Sequence, residues 1–233
     1  SDEFAAERAA LIDMDNMQAM ESVPLSDLPV TKLEPTAEES QHTTHIAVID
    51  QYGNIVSTTN TLGNGWGCKL MAPGLGFFYN SHIGNLDHEN PDSPDYVMPG
   101  KRVRSTISPS LVLQDGNPIM AVGSPGSLAI PPAVATIINN VLLYGMNVQQ
   151  AINEPRAMAI NRSGMDSPAR VSIEQPRFDP DLVAQMEGIG YEMKDVGEYN
   201  MAVGGIAAIY LDRDNGIFYA GADPRRGYKA LAY

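Results

Sequence analysis

The chain has 233 residues, 43% of them hydrophobic, which suffices for one domain with a sizeable core, or one domain plus a tail. With 15 Lys and Arg against 28 Asp and Glu, the formal net charge of −13 argues against nucleic acid and anionic membrane surfaces as partners, while a small substrate stays open because a local pocket can oppose the global sign. The single cysteine, Cys68, excludes an intrachain disulfide, and no stretch reaches the length of a membrane span, the longest apolar run (130–143) being broken by Asn139 and Asn140.

Residues 4–20 have helical composition. Residues 24–41 carry Pro24, Pro29 and Pro35 among Ser, Asp, Thr and Glu, show no apolar period, and read as an exposed linker. No basic-apolar leader opens the chain, and its first segment reads as mid-protein, so a fragment or a processed chain is expected. At Thr43-Thr44-His45 the pattern changes: Ile46 and Val48 alternate with smaller or polar residues, Gln51-Tyr52-Gly53-Asn54 turns, and 55–59 resumes, a β-hairpin signal. A Thr-Thr-His triplet at such a junction is where a self-cleaving hydrolase would place an N-terminal threonine, whose hydroxyl can be activated by its own α-amino group. The plain alternative is that Thr simply favours the start of a strand.

Residues 63–76 are dense in glycine, which suits tight turns, with Trp66 expected to pack against a pocket wall. Residues 77–79 read as a short strand, 82–104 as a polar loop, and 110–122 as a second hairpin about Asp115-Gly116. Helices are expected over 131–144, with proline in the first turn and Gly145 as the stop, over 148–154, and over 180–188 with Asp179 as its cap. Strands are expected over 171–174, 191–196, 204–211 and 216–220. Hairpins with helices between them predict antiparallel sheets covered by helices, an α+β layered fold. The twelve methionines are expected to fill the core.

Several blocks together resemble the gamma-glutamyltransferase family of N-terminal-nucleophile hydrolases. Thr43-Thr44-His45 with Asp50 and Gly53-Asn54 is similar to the start of that family's small subunit, and Thr59-Asn60-Thr61-Leu62 to the end of its second strand. Pro73-Gly74-Leu75-Gly76-Phe77-Phe78-Tyr79-Asn80 resembles its Gly-Ile-Leu-Leu-Asn-Asn stretch, and 101–109 its Lys-Arg-Pro-Leu-Ser-Ser-Met-Ser-Pro. Gly123-Ser124-Pro125-Gly126-Ser127 resembles Gly-Ser-Pro-Gly-Gly, and Ala222-Asp223-Pro224-Arg225 its terminal Asp-Pro-Arg. The resemblance implies a four-layer α-β-β-α sandwich. Residues 1–42 would be the tail of the large subunit with its linker, and 43–233 the small catalytic subunit.

It further implies autocleavage between His42 and Thr43 and an acyl-enzyme on Thr43, with Thr44 as the rival nucleophile. Thr61 would hold the nucleophile, and the backbone N–H groups of Gly126 and Ser127 would form the oxyanion hole, where the family has two glycines. Ser105 and Thr106 match two serines that bind the substrate α-carboxylate. On the α-amino side the chain departs from the family: Gly63 stands where Asn or Glu is usual, Asn64 is a possible substitute, and His82 and Asn85 replace Gln and Asp.

The expected partners are the remainder of the large subunit, in a heterodimer after cleavage, and a γ-glutamyl substrate such as glutathione. No cofactor is implied. Asp87-His88-Glu89 has ligand types without ligand spacing, so no metal site is expected. The family is periplasmic, secreted or at the cell surface. The alternatives are a relative acting on another amide (an acylase or a poly-γ-glutamate-type hydrolase) and a non-catalytic, unprocessed homologue.

Overall fold

A computed structural model describes residues 2–10, 12, 14–15, 42–159 and 170–232. The expected linker over 24–41 lies outside the described residues. Helix α1 (Asp2–Ala9) is shorter than the composition of 4–20 suggests; residues 16–20 of that stretch also lie outside.

Strands β1 (Thr44–Ile49) and β2 (Ile55–Asn60) form an antiparallel hairpin with Thr44 opposite Asn60 and Ile49 opposite Ile55. Its turn is closed by Asp50, whose Oδ1 accepts the N–H groups of Tyr52 and Asn54, both at 2.9 Å, and whose Oδ2 accepts the Asn54 side-chain amide at 2.7 Å. Those hydrogen bonds, the Asn54 amide first, hold the Asp50 carboxyl below the usual carboxylate range. Gly53, at φ +83°, supplies the left-handed residue of this turn. The period of two puts His45, Ala47, Ser57 and Thr59 on the inner face, and leaves Ile46, Val48 and Val56 about half exposed on the outer one.

Behind the hairpin lies a four-stranded antiparallel sheet in the order β3-β4-β8-β9: β3 (Ser110–Gln114), β4 (Asn117–Gly123), β8 (Ala207–Asp212) and β9 (Ile217–Ala222). Asp115 and Gly116, both at positive φ, make the two-residue turn between β3 and β4. Helices α2 (Ile130–Leu142) and α3 (Val148–Asn153) cover the sheet's other face. Pro131 and Pro132 occupy the first turn of α2, where a missing N–H costs nothing, and Asn147 caps α3 by accepting the Gln150 N–H at 2.8 Å. Contact of α3 with β9 requires Gly221: a Cβ there would stand 2.6 Å from Ile152 Cδ1. The main core fills this interface with Met120, Val122, Ile130, Ile137, Val148, Ile152, Met158 and Ile206.

A three-stranded sheet completes the chain, in the order β5-β6-β7: β5 (Ala157–Ala159), β6 (Arg170–Ile173) and β7 (Glu192–Asp195). Within the expected antiparallel sheets the pair β6–β7 is parallel, because α4 (Pro180–Gly188) lies between them and makes the crossover a parallel pair requires. Asp179 caps α4 through the Asp181 N–H at 2.9 Å. The layers are hairpin, four-stranded sheet and helices, an α+β arrangement. A further helical layer over the outer face of the hairpin is not built by the described residues.

Three other expectations change. Residues 77–79 form no regular strand: they pair with 68–72 through one antiparallel bridge, Phe78 to Met71, and three backbone hydrogen bonds, Cys68 N–H to the Tyr79 carbonyl at 3.1 Å, Tyr79 N–H to the Leu70 carbonyl at 3.0 Å and Ala72 N–H to the Phe77 carbonyl at 2.9 Å. Trp66 is 69% exposed, at φ +61°, and leans on Phe78 with ring centroids 5.2 Å apart instead of packing into a wall. Met120 and Met158 are buried as expected, but Met14, Met71 and Met98 are exposed.

Candidate active site

Thr43 sits one residue before the first rung of β1, and is 5% exposed. Its Oγ1 donates to Thr61 Oγ1 at 3.0 Å, and the Gly63 N–H donates to the same Thr61 oxygen at 2.9 Å. The hairpin makes this meeting possible: Thr44 pairs with Asn60, so the residues just outside that rung face each other across the open end. The Thr43 carbonyl oxygen accepts Arg226 Nη2 at 2.7 Å. His42 precedes it, with its ring over Gly65, where a Cβ would lie 2.7 Å from Nε2.

His45 is buried between hairpin and sheet. Its Nδ1 is 2.8 Å from Thr59 Oγ1 and its Nε2 is 3.4 Å from Ser57 Oγ, which in turn donates to the Val122 carbonyl at 3.1 Å. The ring occupies the space over Gly123, where a Cβ would stand 2.2 Å from its Cε1. Burial pulls the His45 pKa from 6.5 down to about 4, so the imidazole is neutral near pH 7. The His45 backbone N–H donates to the Tyr228 hydroxyl at 2.9 Å.

At the far end of β4, Gly126 (φ +130°) and Ser127 (φ +54°) form a turn ahead of α2. A left-handed Ser127 costs about 1 kcal/mol, so the family's second glycine is replaced at a modest conformational cost. Neither the Gly126 nor the Ser127 N–H donates to any group among the described residues, which leaves two adjacent donors available for an oxyanion. This turn is backed by Gly204, whose Cα lies 3.1 Å from where a Gly126 Cβ would be, and by Ser124, whose Oγ accepts the Gly205 N–H at 3.0 Å.

The loop that carries Gly204 is held by buried charge. Arg156 donates to the carbonyls of Gly204 at 3.1 Å and Ile152 at 2.9 Å, and pairs with Asp223. Asp223 accepts the Ile206 N–H at 2.8 Å, and Arg225 joins Asp223 to Glu174. Burial alone would raise the Glu174 carboxyl; hydrogen bonding and charge from Arg225 outweigh it and hold the group below its usual range. Asp223 and Arg225 of the Asp-Pro-Arg block are thus a buried structural clasp beneath the Gly126 turn.

The expected substrate-side residues fall into one neighbourhood. Gly63 has φ +86°, and a Cβ on it would stand 2.5 Å from Ser81 Oγ and 3.7 Å from the His82 ring. Ser81 Oγ also receives the Asn64 N–H at 2.9 Å. Asn85 reaches the Arg104 carbonyl at 3.5 Å, which links the 3-10 turn His82–Asn85 to Ser105 and Thr106. The Ser105 Oγ accepts the Ile107 N–H at 3.2 Å, and the Thr106 carbonyl accepts Ser108 Oγ at 3.0 Å. No contact among the described residues ties Ser105 or Thr106 directly to Thr43. Arg104 pairs with Asp95 at 3.5 Å.

Asp87 Oδ1 caps the turn that contains Glu89 and Asn90, and no group of three metal-ligating side chains occurs among the described residues. Cys68 is exposed on the glycine-rich segment. Arg226, Tyr228, Ser81 and Arg156 were not singled out from the sequence. The second arginine after Asp-Pro was the only visible signal for any of them. No helix among the described residues is long and apolar enough to cross a membrane.

The sequence profile of the gamma-glutamyltranspeptidase family matches residues 1–233. The glutathione hydrolase proenzyme of Bacillus subtilis (strain 168) is 30% identical over 198 residues, which are 85% of this chain and 32% of that protein. The acylase ACY 1 proenzyme of Pseudomonas sp. (strain SE83) is 34% identical over 153 residues, 66% of this chain and 25% of that protein. A solved point mutant of Helicobacter pylori gamma-glutamyltranspeptidase superposes with a TM-score of 0.67 at 28% identity, covering 78% of this chain and 100% of that one. The chain therefore spans about a quarter to a third of the length of these curated relatives. Since the profile spans every residue and the likeness extends from sequence to layered structure, the chain belongs to the gamma-glutamyltranspeptidase family.

Proposed function

We propose that this chain is the catalytic part of an autoprocessed N-terminal-threonine amidohydrolase that hydrolyses or transfers a γ-glutamyl or related acyl group. The observation that carries this reading is the buried Thr43 hydroxyl, held 3.0 Å from Thr61 at the open end of the hairpin. In the precursor, that hydroxyl attacks the carbonyl of His42, the C–N bond to Thr43 breaks, and water hydrolyses the resulting ester. The freed α-amine, with an ordinary pKa near 8, is partly unprotonated at neutral pH and takes the hydroxyl proton in the next attack. The attacked amide carbon forms a tetrahedral adduct, its oxyanion received by the Gly126 and Ser127 N–H groups; the amide C–N bond then breaks, the amine leaves with the proton held by the α-amine, and an ester remains on Thr43. Water or an acceptor amine then releases the acyl group. Relatives named glutathione hydrolase proenzyme support glutathione as donor.

The remainder of the large subunit is the proposed partner. Two observations support it: the short span relative to the curated proteins, and the outer hairpin face, where Ile46, Val48 and Val56 are exposed.

A second reading, acyl groups without an α-ammonium, is favoured by a specific observation. Gly63, Asn64, His82 and Asn85 carry no carboxylate, and Ser81 Oγ fills the space a side chain at 63 would take. From these four residues a substrate ammonium receives no charged hydrogen bond, an interaction worth about 1.5–3 kcal/mol. The acylase relative supports the same reading.

One experiment tests both. Intact-mass measurement of the full-length gene product, before and after incubation with γ-glutamyl and glutaryl anilides, is expected to show a fragment beginning at Thr43 and an acyl adduct on it. Thr43→Ala is expected to abolish both. The donor that labels faster decides between the readings, and an intact mass with no adduct from either donor refutes the enzyme.

A further inference from the structure

The C-terminal segment grips the nucleophile from the side opposite Thr61. Arg226 is half-buried and donates through Nη2 to the Thr43 carbonyl oxygen at 2.7 Å. Its stem lies along the Met201–Gly205 loop: a Cβ on Gly205 would stand 3.2 Å from Arg226 Cβ, and Nη1 is 3.7 Å from Met201 Sδ. That loop carries Gly204, which backs the Gly126 turn, so Arg226 spans the nucleophile and the support of the proposed oxyanion donors. Two residues on, the Tyr228 hydroxyl takes the His45 N–H.

Once the preceding peptide is released, Thr43 is a chain end. The strand ladder begins only at Thr44, opposite Asn60, and chain ends outside a ladder fray unless something ties them down. The hydroxyl is tied to Thr61. The remaining freedom is rotation about the Cα–C bond, and the carbonyl oxygen reports that rotation. A charge-assisted hydrogen bond, roughly twice as strong as a neutral one, is suited to fix it.

We propose that Arg226 is a positioning residue for the nucleophile: it locks the Thr43 carbonyl, and through it the placement of hydroxyl and amine relative to the Gly126–Ser127 turn. This rests on Thr43 being the nucleophile. Arg226 bonds the Thr43 carbonyl, which takes no part in the bond changes, so its removal is expected to act on the acylation step and to leave substrate binding largely intact.

The test uses the full-length protein with a chromogenic acyl anilide, comparing wild type, Arg226→Gln, Arg226→Lys and Gly205→Ala, each checked by thermal melting. In Arg226→Gln, kcat is expected to fall about tenfold to a hundredfold, the cost of misplacing a reacting group by about 1 Å, with KM within about threefold. A folded variant stalled before cleavage supports the proposal equally, because cleavage uses the same hydroxyl. Arg226→Lys, which keeps a charged donor, is expected to recover most of the loss. Gly205→Ala, which crowds the arginine stem without changing charge, is expected to lower kcat in the same sense. Arg226→Gln with wild-type kcat, or with its loss confined to KM, overturns the proposal. If Arg226→Gln does not fold, an unchanged kcat in a folded Gly205→Ala overturns it. A wild-type protein that never exposes Thr43 instead sinks the underlying functional reading, a result distinguishable from failure of the arginine alone.

Discussion

Gly63 shows how one residue joins the site's two halves. Its N–H holds Thr61, which holds Thr43, and its missing Cβ is what lets Ser81 Oγ approach. At φ +86° any other residue is strained, and a Cβ only 2.5 Å from Ser81 Oγ must move that side chain or the backbone. Gly63→Ala is therefore expected to cost about 1–2 kcal/mol of stability and to slow acylation by displacing Thr61. Adding Ser81→Ala removes the clash but not the strain, so the double variant should recover part of the rate. Denaturant unfolding and anilide kinetics on the three variants check this; a double variant no better than Gly63→Ala would mean that Ser81 is not the obstruction. No property of a lone glycine in a glycine-rich run announces this role. The resemblance pointed to position 63 by what the family has there, and only the fold named Ser81 as the occupant of the space.

At the scale of elements, the sequence was most legible where residue pattern and local geometry coincide. The hairpin closed by Asp50 and Gly53, the Asp115-Gly116 turn, the proline start of α2 and the Asp179 cap all follow from short-range chemistry. The three-residue β5 is too short for any period to show, and the parallel β6–β7 pairing depends on which strand α4 returns to. The tie from Arg226 to Thr43 spans 183 residues, and no local pattern encodes such a contact. The clasp of Arg156, Glu174, Asp223 and Arg225 was equally hidden, because charged residues read as surface until their partners are seen. Its members are nearly or fully buried, and removing one charge leaves the others uncompensated. Asp223→Asn keeps the shape, leaves two guanidinium groups facing a neutral amide, and is expected to destabilise the protein by about 3–5 kcal/mol. Because Asp223 also holds the Ile206 N–H, amide exchange over the 200–206 loop should accelerate ahead of global unfolding. A loss below about 1 kcal/mol in urea unfolding would show that the clasp does not support this loop.

For the whole molecule, the hairpin and the four-stranded sheet are joined across a polar seam, with His45 at its centre between Thr59, Ser57 and Gly123. The outer hairpin face carries the apolar residues instead, an inversion that makes sense when a second layer covers that face. A polar seam makes stability depend on pH. Burial lowers the His45 pKa from 6.5 to about 4, so between those values the unfolded chain binds a proton that the folded one refuses. The stabilisation is fully present above pH 6.5, declines as pH falls from there, and is lost once pH passes about 4. At about 1.4 kcal/mol per pH unit the interval bounds the effect at about 3 kcal/mol. Protonation of surface carboxylates acts in the opposite sense over the lower part of this range, because it relieves the self-repulsion of a chain with net charge −13. The informative quantity is therefore the difference between wild type and His45→Gln, a variant that has no imidazole to titrate. Urea unfolding at pH 7 and at pH 4.5 should show wild type losing about 2 kcal/mol more than the variant over that interval. Parallel losses in the two proteins would mean that His45 accepts its proton within the folded seam, and that the layers are not held together by its neutral form.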